Sequence, residues 1–315
     1  PYVDVFMRPQ QYDPLINLLG DRIGIDTEGC LGPLTASPAV TAYVPIVHGC
    51  DKFCSFCIIP YRRGREVSRT ISDVVRETNL LVNRGVKEVT LLGQNVDSYG
   101  HDLPGESDLS DLLCAVNDVD GLERVRFLTS HPNDMSDRII DAVNGLDKIC
   151  EHINLPFQAG DDDVLNRMRR GYTSDDYCRL VDKIRERVSG VSLSTDLIVG
   201  FSGETDSQFE RSLEMVRKIR FDKVHVASYS VRDGTIASRS MEDDVPAEEK
   251  KARFKAIEEA QFSILSEINA SLKGQTVEVL IEGIKRGKAM GRSRNDKLVY
   301  LEDGQECVGE MVEVE

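Results

Sequence analysis

Cys50, Cys54 and Cys57 lie in the run Val47-His48-Gly49-Cys50-Asp51-Lys52-Phe53-Cys54-Ser55-Phe56-Cys57, a C-x3-C-x2-C spacing. Three thiols so close in sequence cannot pair off into disulfides without leaving one over. Thiolates are ligands of iron–sulfur clusters and of zinc. On a 4Fe-4S cluster, three protein thiolates leave one iron with open coordination sites, where a substrate or cosubstrate can bind, as at the open position of a catalytic zinc. The competing reading is a structural zinc site with His48 as a fourth ligand. Zinc ligands more often come as two separated pairs, and the chain has no second C-x-x-C. The spacing therefore favours the open-iron cluster, with Cys50, Cys54 and Cys57 as its metal-binding and catalytic residues.

These cysteines need a scaffold. Short apolar, β-rich runs at residues 43–47, 88–92, 124–128, 152–156, 191–199 and 223–229 alternate with helical patterns near 72–83, 109–117, 136–144, 161–168, 174–188 and 206–219. Such alternation means βαβ units, a parallel sheet and right-handed crossovers. The number of units predicts an incomplete barrel instead of a closed eightfold one. In parallel α/β folds reactive groups gather at the carboxyl ends of the strands, and the cysteine loop directly follows the first strand. The later strands end in Gln94-Asn95, Thr129-Ser130-His131, Gln158-Ala159-Gly160 and Ser194-Thr195-Asp196. One such ending is ordinary loop composition. Its recurrence points to a shared pocket.

Pro246 opens a long polar helix, with Glu248 and Glu249 in the first turn where the helix dipole favours acid, and Gly274 stops it. Beyond it the apolar residues recur with period two, broken by glycines, which predicts a small β-barrel. On that barrel Lys285, Arg286, Lys288, Arg292, Arg294 and Lys297 stand against the single Asp296. The chain as a whole carries a formal charge of −15, which argues against indiscriminate nucleic-acid binding. A local basic patch can still position RNA through its phosphates, or it is a solvated hairpin. A second basic run, Arg62, Arg63, Arg65 and Arg69, follows the cysteines. The absence of any apolar stretch of about twenty residues predicts no membrane span, and eight cysteines in a chain without a secretory signal predict a reducing, cytoplasmic setting.

The cysteine run, with an aromatic residue before its last cysteine, resembles the radical S-adenosylmethionine (SAM) superfamily. The longer runs GCDKFCSFCIIPYRRGREVSR, GQNVDSYG, HPNDMSD, LPFQAGDDDVLNRMRRGYT and STDLIVGFSGET resemble its methylthiotransferases. They are more similar to the tRNA-modifying branch typified by MiaB than to the branch that modifies an aspartate of a ribosomal protein. The resemblance implies an α/β fold, a partial (β/α)6 barrel followed by a small TRAM-like β-barrel that binds RNA. It implies a cluster whose open iron chelates the amino and carboxylate groups of SAM, and cleavage of SAM to a 5′-deoxyadenosyl radical. The implied substrate is N6-isopentenyladenosine beside the tRNA anticodon, converted to its 2-methylthio derivative. Gln94 and Asn95 occupy the place where such proteins contact the SAM amino group. Ser130, Gln158 and Asp196 lie in stretches that line the SAM and substrate pocket. Phe56 packs against the cluster or the adenine, or is plain core. Ser202 departs from the family pattern, which usually has proline there.

The same resemblance divides the chain into residues 1–35, the remnant of an N-terminal methylthiotransferase domain, 36–272, the radical SAM domain, and 273–315, the TRAM-like domain. Full-length relatives carry three further N-terminal cysteines that hold a second 4Fe-4S cluster. Here the first forty residues contain only Cys30. One cluster is therefore expected in this chain, with SAM cleavage retained and methylthiolation incomplete. Expected partners are the tRNA anticodon stem-loop and an electron donor such as flavodoxin or ferredoxin, with a monomer as the state of assembly. The readings that compete with tRNA methylthiolation are the ribosomal-protein aspartate methylthiotransferase and an RNA-binding protein with a structural metal site and no chemistry.

Overall fold

A computed structural model describes residues 39–315, Glu106 excepted, together with Leu18. Cys30 and, Leu18 apart, the remnant domain 1–35 lie outside the described residues.

Six parallel strands run in chain order around an open barrel: β1 (Thr41–Pro45), β4 (Glu88–Leu92), β5 (Arg124–Leu128), β6 (His152–Asn154), β7 (Ser192–Val199) and β8 (Lys223–Ser228). Two ladders, β1-β4-β5 and β6-β7-β8, are joined where Ser130 N donates to Asn154 O at 3.0 Å and Cys150 N to Val125 O at 2.9 Å. Among the described residues no ladder joins β1 to β8, so the barrel is partial. Two short strands, β2 (Val47–His48) and β3 (Val67–Ser68), pair antiparallel and clamp the base of the cysteine loop.

Helices return the chain between strands: α1 (Ile59–Arg63), α2 (Ile71–Val82), α3 (Leu109–Asn117), α4 (Asp137–Gly145), α5 (Asp162–Arg167), α6 (Ser174–Arg187) and α7 (Asp206–Ile219). Their starts are written locally. Thr70, Asp108, Thr173 and Thr205 each accept a hydrogen bond from a first-turn N–H, and the last three form reciprocal capping boxes. A short α8 (Ile236–Ser240) leads to the long α9 (Ala247–Ser271), which packs along β8 and α7. Among the described residues no helix is long and apolar enough to cross a membrane.

Strand alternation decides what the barrel encloses. Val89, Leu91, Val125, Phe127, Ile153, Leu193 and Leu197 are buried in the main core against the helices. The intervening positions, Glu88, Thr90, Arg124, Arg126, His152, Asn154, Ser192, Ser194 and Asp196, belong to the opposite face, because side chains alternate along a strand. The lumen is thus polar, unlike the apolar packing of a closed eight-stranded barrel.

The last four strands, β9 (Val277–Lys285), β10 (Lys288–Ser293), β11 (Leu298–Leu301) and β12 (Met311–Val314), form an antiparallel sheet in the order β11-β10-β9-β12. A bulge at Met290/Gly291 bends it, and a Cβ on Gly291 would run into the Leu280 carbonyl. The sheet covers the amino-terminal mouth of the barrel. Fully buried Arg124 donates to Arg292 O at 2.7 Å, Glu278 O at 3.1 Å and Glu278 Oε1 at 2.8 Å. Arg126 donates to Glu88 Oε1 at 2.9 Å, Arg294 O at 2.8 Å and Ser293 O at 2.7 Å. Ser192 Oγ donates to Asn295 O at 2.8 Å.

The Glu88–Arg126 pair is almost wholly buried. Removing one partner leaves an uncompensated buried charge, which costs about 3–5 kcal/mol. Arg126→Ala should lower the stability of residues 39–315 by that amount and expose the C-terminal sheet to protease. Urea unfolding checks the first effect and limited proteolysis the second; an unfolding midpoint equal to wild type would refute the role assigned to this pair.

Candidate active site

The cysteine loop leaves β2 at Gly49, whose φ of +78° and close approach to the Arg65 carbonyl exclude any Cβ. Gly49 N donates to Gln94 Oε1 at 2.8 Å, and Cys50 N to Gly64 O at 3.2 Å. Farther along, Ser55 N donates to Met168 O at 3.0 Å, Ser55 Oγ to Arg167 O at 2.7 Å, and Ala237 N to Ser55 O at 2.8 Å. Lys52 pairs with Asp134 at 2.7 Å, and Asn95 Nδ2 donates to the other oxygen of Asp134 at 2.6 Å. Contacts from both halves of the barrel thus fix the loop before any ligand binds.

Cys50, Cys54 and Cys57 are free thiols, the first two buried and the third half-buried. They share the wall of one cavity of about 320 Å³ at the carboxyl ends of the strands, a size at the lower end for small-molecule sites. Burial pushes Cys50 up to about 11 and raises Cys57 as well. Both therefore hold their protons at neutral pH, and iron must displace those protons to bind. Among the described residues no three His, Cys, Asp or Glu side chains are gathered to hold a single metal ion. His48, the candidate fourth zinc ligand, does not line the cavity.

Phe56, Gln94, Asn95, Ser130 and Gln158 line the same cavity as the thiols. Asp196 does not; it is half-buried on β7, and burial raises its carboxyl. Gln94 spends its carbonyl on Gly49, so it serves the loop directly. Two backbone conformations stand out: Thr129 and Gln158 line the cavity with φ of 72° and 69°. For a β-branched residue such as Thr129 this is an outlier, and strain of this kind collects at functional sites. Asp97 holds the Thr129 turn, accepting from Ser130 Oγ at 2.9 Å and His131 N at 3.0 Å. Burial pushes Asp97 up to about 7, against those hydrogen bonds.

Two buried atoms beside the cavity have no partner, Asn95 Oδ1 and His131 Nε2. His131 Nδ1 accepts from Asn133 N at 3.2 Å, so the neutral ring carries its proton on Nε2. One orphan is an acceptor and the other a donor. Each costs about 1–3 kcal/mol if left unpaired, so the pair fits a polar ligand that presents both an ammonium and a carboxylate. His131 and Arg170 were not singled out as site residues by sequence reasoning; both lie in runs that resemble the family, and nothing but position after a strand or helix marked them.

The basic residues separate into two groups. Arg62, Arg63 and Arg65 are exposed on and just after α1, whose first residue, Ile59, lines the cavity. Lys285 and Arg286 are exposed at the β9–β10 turn, while Lys288 pairs with Glu302 at 2.5 Å. Three others are engaged in holding the C-terminal sheet. Arg294 grips Glu151 at 2.8 Å and accepting carbonyls of Asp147 and Ile149. Lys297 pairs with Asp222 at 2.6 Å, and Arg292 with Asp296 at 3.1 Å. The first two contacts lie at the amino-terminal mouth, away from the thiols.

A partial parallel barrel with three thiols at its carboxyl face defines a radical SAM domain, and the comparisons agree. The family profile described as Radical SAM superfamily matches residues 44–216, and that described as TRAM domain matches 270–315. The tRNA-2-methylthio-N(6)-dimethylallyladenosine synthase of Dehalococcoides mccartyi (strain ATCC BAA-2266 / KCTC 15142 / 195) is 50% identical over 314 residues, covering 100% of this chain and 73% of the relative. The protein of the same name from Roseiflexus sp. (strain RS-1) is 49% identical, covering 100% of this chain and 67% of the relative. Among solved structures, the radical S-adenosylmethionine methyltransferase TsrM from Kitasatospora setae shares the fold with a TM-score of 0.53 at 20% identity, over 63% of this chain and 38% of that one. Coproporphyrinogen III oxidase (HemN) from Escherichia coli does so with a TM-score of 0.50 at 18% identity, over 84% of this chain and 61% of that one. The chain belongs to the radical SAM superfamily and, within it, to the family of tRNA-2-methylthio-N(6)-dimethylallyladenosine synthases.

Burial first, then the positive charges of Arg170 and Lys52, hold the His131 imidazole down at about 2. A depressed folded pKa contributes stability that is complete above the unfolded value near 6.5 and is lost as pH falls below it. The urea midpoint should therefore fall from pH 7 to pH 5, and fall less in His131→Gln. Equal losses in the two proteins would show that the imidazole protonates freely.

Proposed function

We propose that the chain is a radical SAM tRNA methylthiotransferase that acts on N6-isopentenyladenosine next to the anticodon and installs a 2-methylthio group. The observation that carries this reading is the single cavity shared by three free thiols and two orphaned polar atoms at the carboxyl face. Cys50, Cys54 and Cys57 would hold a 4Fe-4S cluster, which together with SAM supplies a hydrogen-abstracting 5′-deoxyadenosyl radical. Asn95 Oδ1 is an acceptor suited to the SAM ammonium, and the His131 Nε2–H a donor suited to its carboxylate. Phe56 and Ile59 supply apolar wall and keep water from that part of the cavity.

Substrate RNA meets the same face. Arg62 and Arg63 lie on α1, which begins at Ile59 of the cavity wall, and with Arg65, which pairs with Asp51 at 3.2 Å, they would make phosphate contacts that bring the anticodon loop to the cavity. The target base must leave its stack to enter. Lys285 and Arg286 at the tip of the C-terminal sheet give a second, sequence-independent phosphate contact. This division of labour assigns residues 36–272 to the radical SAM domain and 273–315 to the RNA-binding domain. Among the described residues the cysteines beyond the three site cysteines are dispersed: Cys114 on α3, Cys150 just before β6, Cys178 on α6 and Cys307 in the turn between β11 and β12. These 315 residues would accordingly hold one cluster and cleave SAM without repeated methylthiolation. A cytoplasmic monomer that takes electrons from flavodoxin or ferredoxin completes the reading.

Reconstituted without oxygen, the protein should bind close to four irons and, with SAM, reductant and isopentenylated tRNA, release 5′-deoxyadenosine. Cys54→Ala should abolish iron uptake and that product together; retention of both would refute the site. For RNA, Arg62→Ala with Arg63→Ala should weaken tRNA binding and flatten its salt dependence, with unfolding unchanged. Arg294→Ala should instead lower stability, because its contacts are internal. A salt slope equal to wild type in the Arg62/Arg63 protein would remove that run from the interface.

A further inference from the structure

Tyr61 lies on α1, and 43% of it is exposed. Two residues along a helix turn the side chain by about 200°. Tyr61 therefore faces away from the cavity that Ile59 lines, and it is not part of that wall. Two neighbours hold the ring. Phe53, in the cysteine loop, meets it edge to face, with centroids 6.0 Å apart and ring planes at 87°. The Arg239 guanidinium lies over it, 5.2 Å from the centroid, and that of Arg65 lies 5.0 Å from the centroid of Phe53. Arg239 is itself fixed, donating to Thr235 O at 3.2 Å and Gly234 O at 2.6 Å.

Tyr43, Phe262 and Tyr300 are exposed aromatic side chains too. Among the described residues, only Tyr61 of these four has a cation over its ring. The cations around it are exposed as well: Arg62, Arg63 and Arg239, with Arg65 beside Asp51. Arginines interleaved with aromatic rings make the kind of surface that single-stranded nucleic acid binds. The guanidiniums meet phosphates, and every base has a face that stacks. Charge alone would serve an RNA backbone and an acidic protein equally. The presented ring breaks that tie in favour of an unpaired base, which gains from a flat aromatic surface between cations.

We propose that Tyr61 is a stacking subsite for one unpaired base of the anticodon loop, a different base from the one that enters the cavity. The inference rests on the tRNA reading made under the proposed function and deepens it. The arginines hold the backbone through charge, which salt screens and which carries no sequence. Tyr61 holds a base through its face, without releasing counter-ions. Extruding the target base breaks stacking within the loop, and the ring on the outer side of α1 offers a replacement for part of it.

The test uses a stem-loop RNA that carries the fluorescent purine 2-aminopurine at one loop position at a time. It is titrated with the full chain, reconstituted without oxygen, at several salt concentrations. Wild-type protein should quench one loop position. Tyr61→Leu keeps apolar bulk against Phe53 and loses the aromatic face. It should lose that quenching and bind at least about fivefold more weakly, the lower end for one base–aromatic stack. Its slope of log affinity against log salt should equal that of wild type. Tyr61→Phe should match wild type in all three readouts. Arg62→Ala with Arg63→Ala should do the reverse, flattening the slope and keeping the quenching of bound RNA. Wild-type affinity in Tyr61→Leu overturns the proposal, and slower reduction of that variant by a flavodoxin would then assign the ring to an electron donor. A flattened slope in Tyr61→Leu also overturns it, since the ring would then only hold arginines in place. If Tyr61→Leu takes up no iron, wild type and Tyr61→Phe decide: one loop position quenched by both supports the stack, and quenching at no position overturns it. Wild-type protein that does not bind the stem-loop overturns the tRNA reading itself, whereas binding indifferent to Tyr61 overturns only this step.

Discussion

All six barrel strands point the same way, and this one constraint divides the molecule into two ends with different tasks. Every strand finishes at the face that holds the thiols, so residues far apart in sequence, from Cys50 to Arg170, are brought to one cavity. Every strand begins at the opposite mouth, where Glu88, Arg124, Arg126 and Ser192 present polar groups that would be costly if left unmatched. The C-terminal sheet answers that cost with its own carbonyls. The same direction of the chain thus assembles a reactive face and creates the need for a cover on the other.

Much of this was legible. The strands at 88–92 and 124–128 and the helices at 109–117 and 206–219 end where the apolar and polar pattern says they should. The pairs β2–β3 and the short α1 and α8 were not, because two-residue strands and one-turn helices carry no periodic signal. The expected first strand at 43–47 shows why. Its parallel ladder runs from Thr41 to Pro45, and the chain then turns to form a separate hairpin. A continuous apolar run cannot reveal that change of partner.

The candidate site was half legible for a similar reason. Thiolate spacing is a local property, so the three cysteines and the amides that follow the strands could be read directly. The second set of contacts could not. Arg170 reaches Cys54 across 116 residues of sequence, a contact that no local pattern announces. The basic hairpin shows the same limit. Counting charges groups Arg292, Arg294 and Lys297 into one basic patch, and in the structure Arg294 and Lys297 pair with Glu151 and Asp222 of the barrel and Arg292 with Asp296. A charge count cannot distinguish a cation that faces solvent from one that faces an acidic neighbour.

The electrostatic arrangement around the cavity follows from the same distinction. The chain is acidic overall, with a formal charge of −15, yet two cations, Lys52 and Arg170, stand at the cavity wall. Lys52 is balanced by Asp134, which Asn95 also engages, so its charge is largely internal to the scaffold. Arg170 has only neutral oxygens and a sulfur around it. Burial pushes Asp97, which holds the strained Thr129 turn, up to about 7. The wall therefore carries a net positive balance that the folded chain does not itself discharge, within a protein whose surface would repel anions. A site of that kind selects for an anionic group small enough to enter and able to bind three thiols, which is the charge and ligand demand of an iron–sulfur cluster.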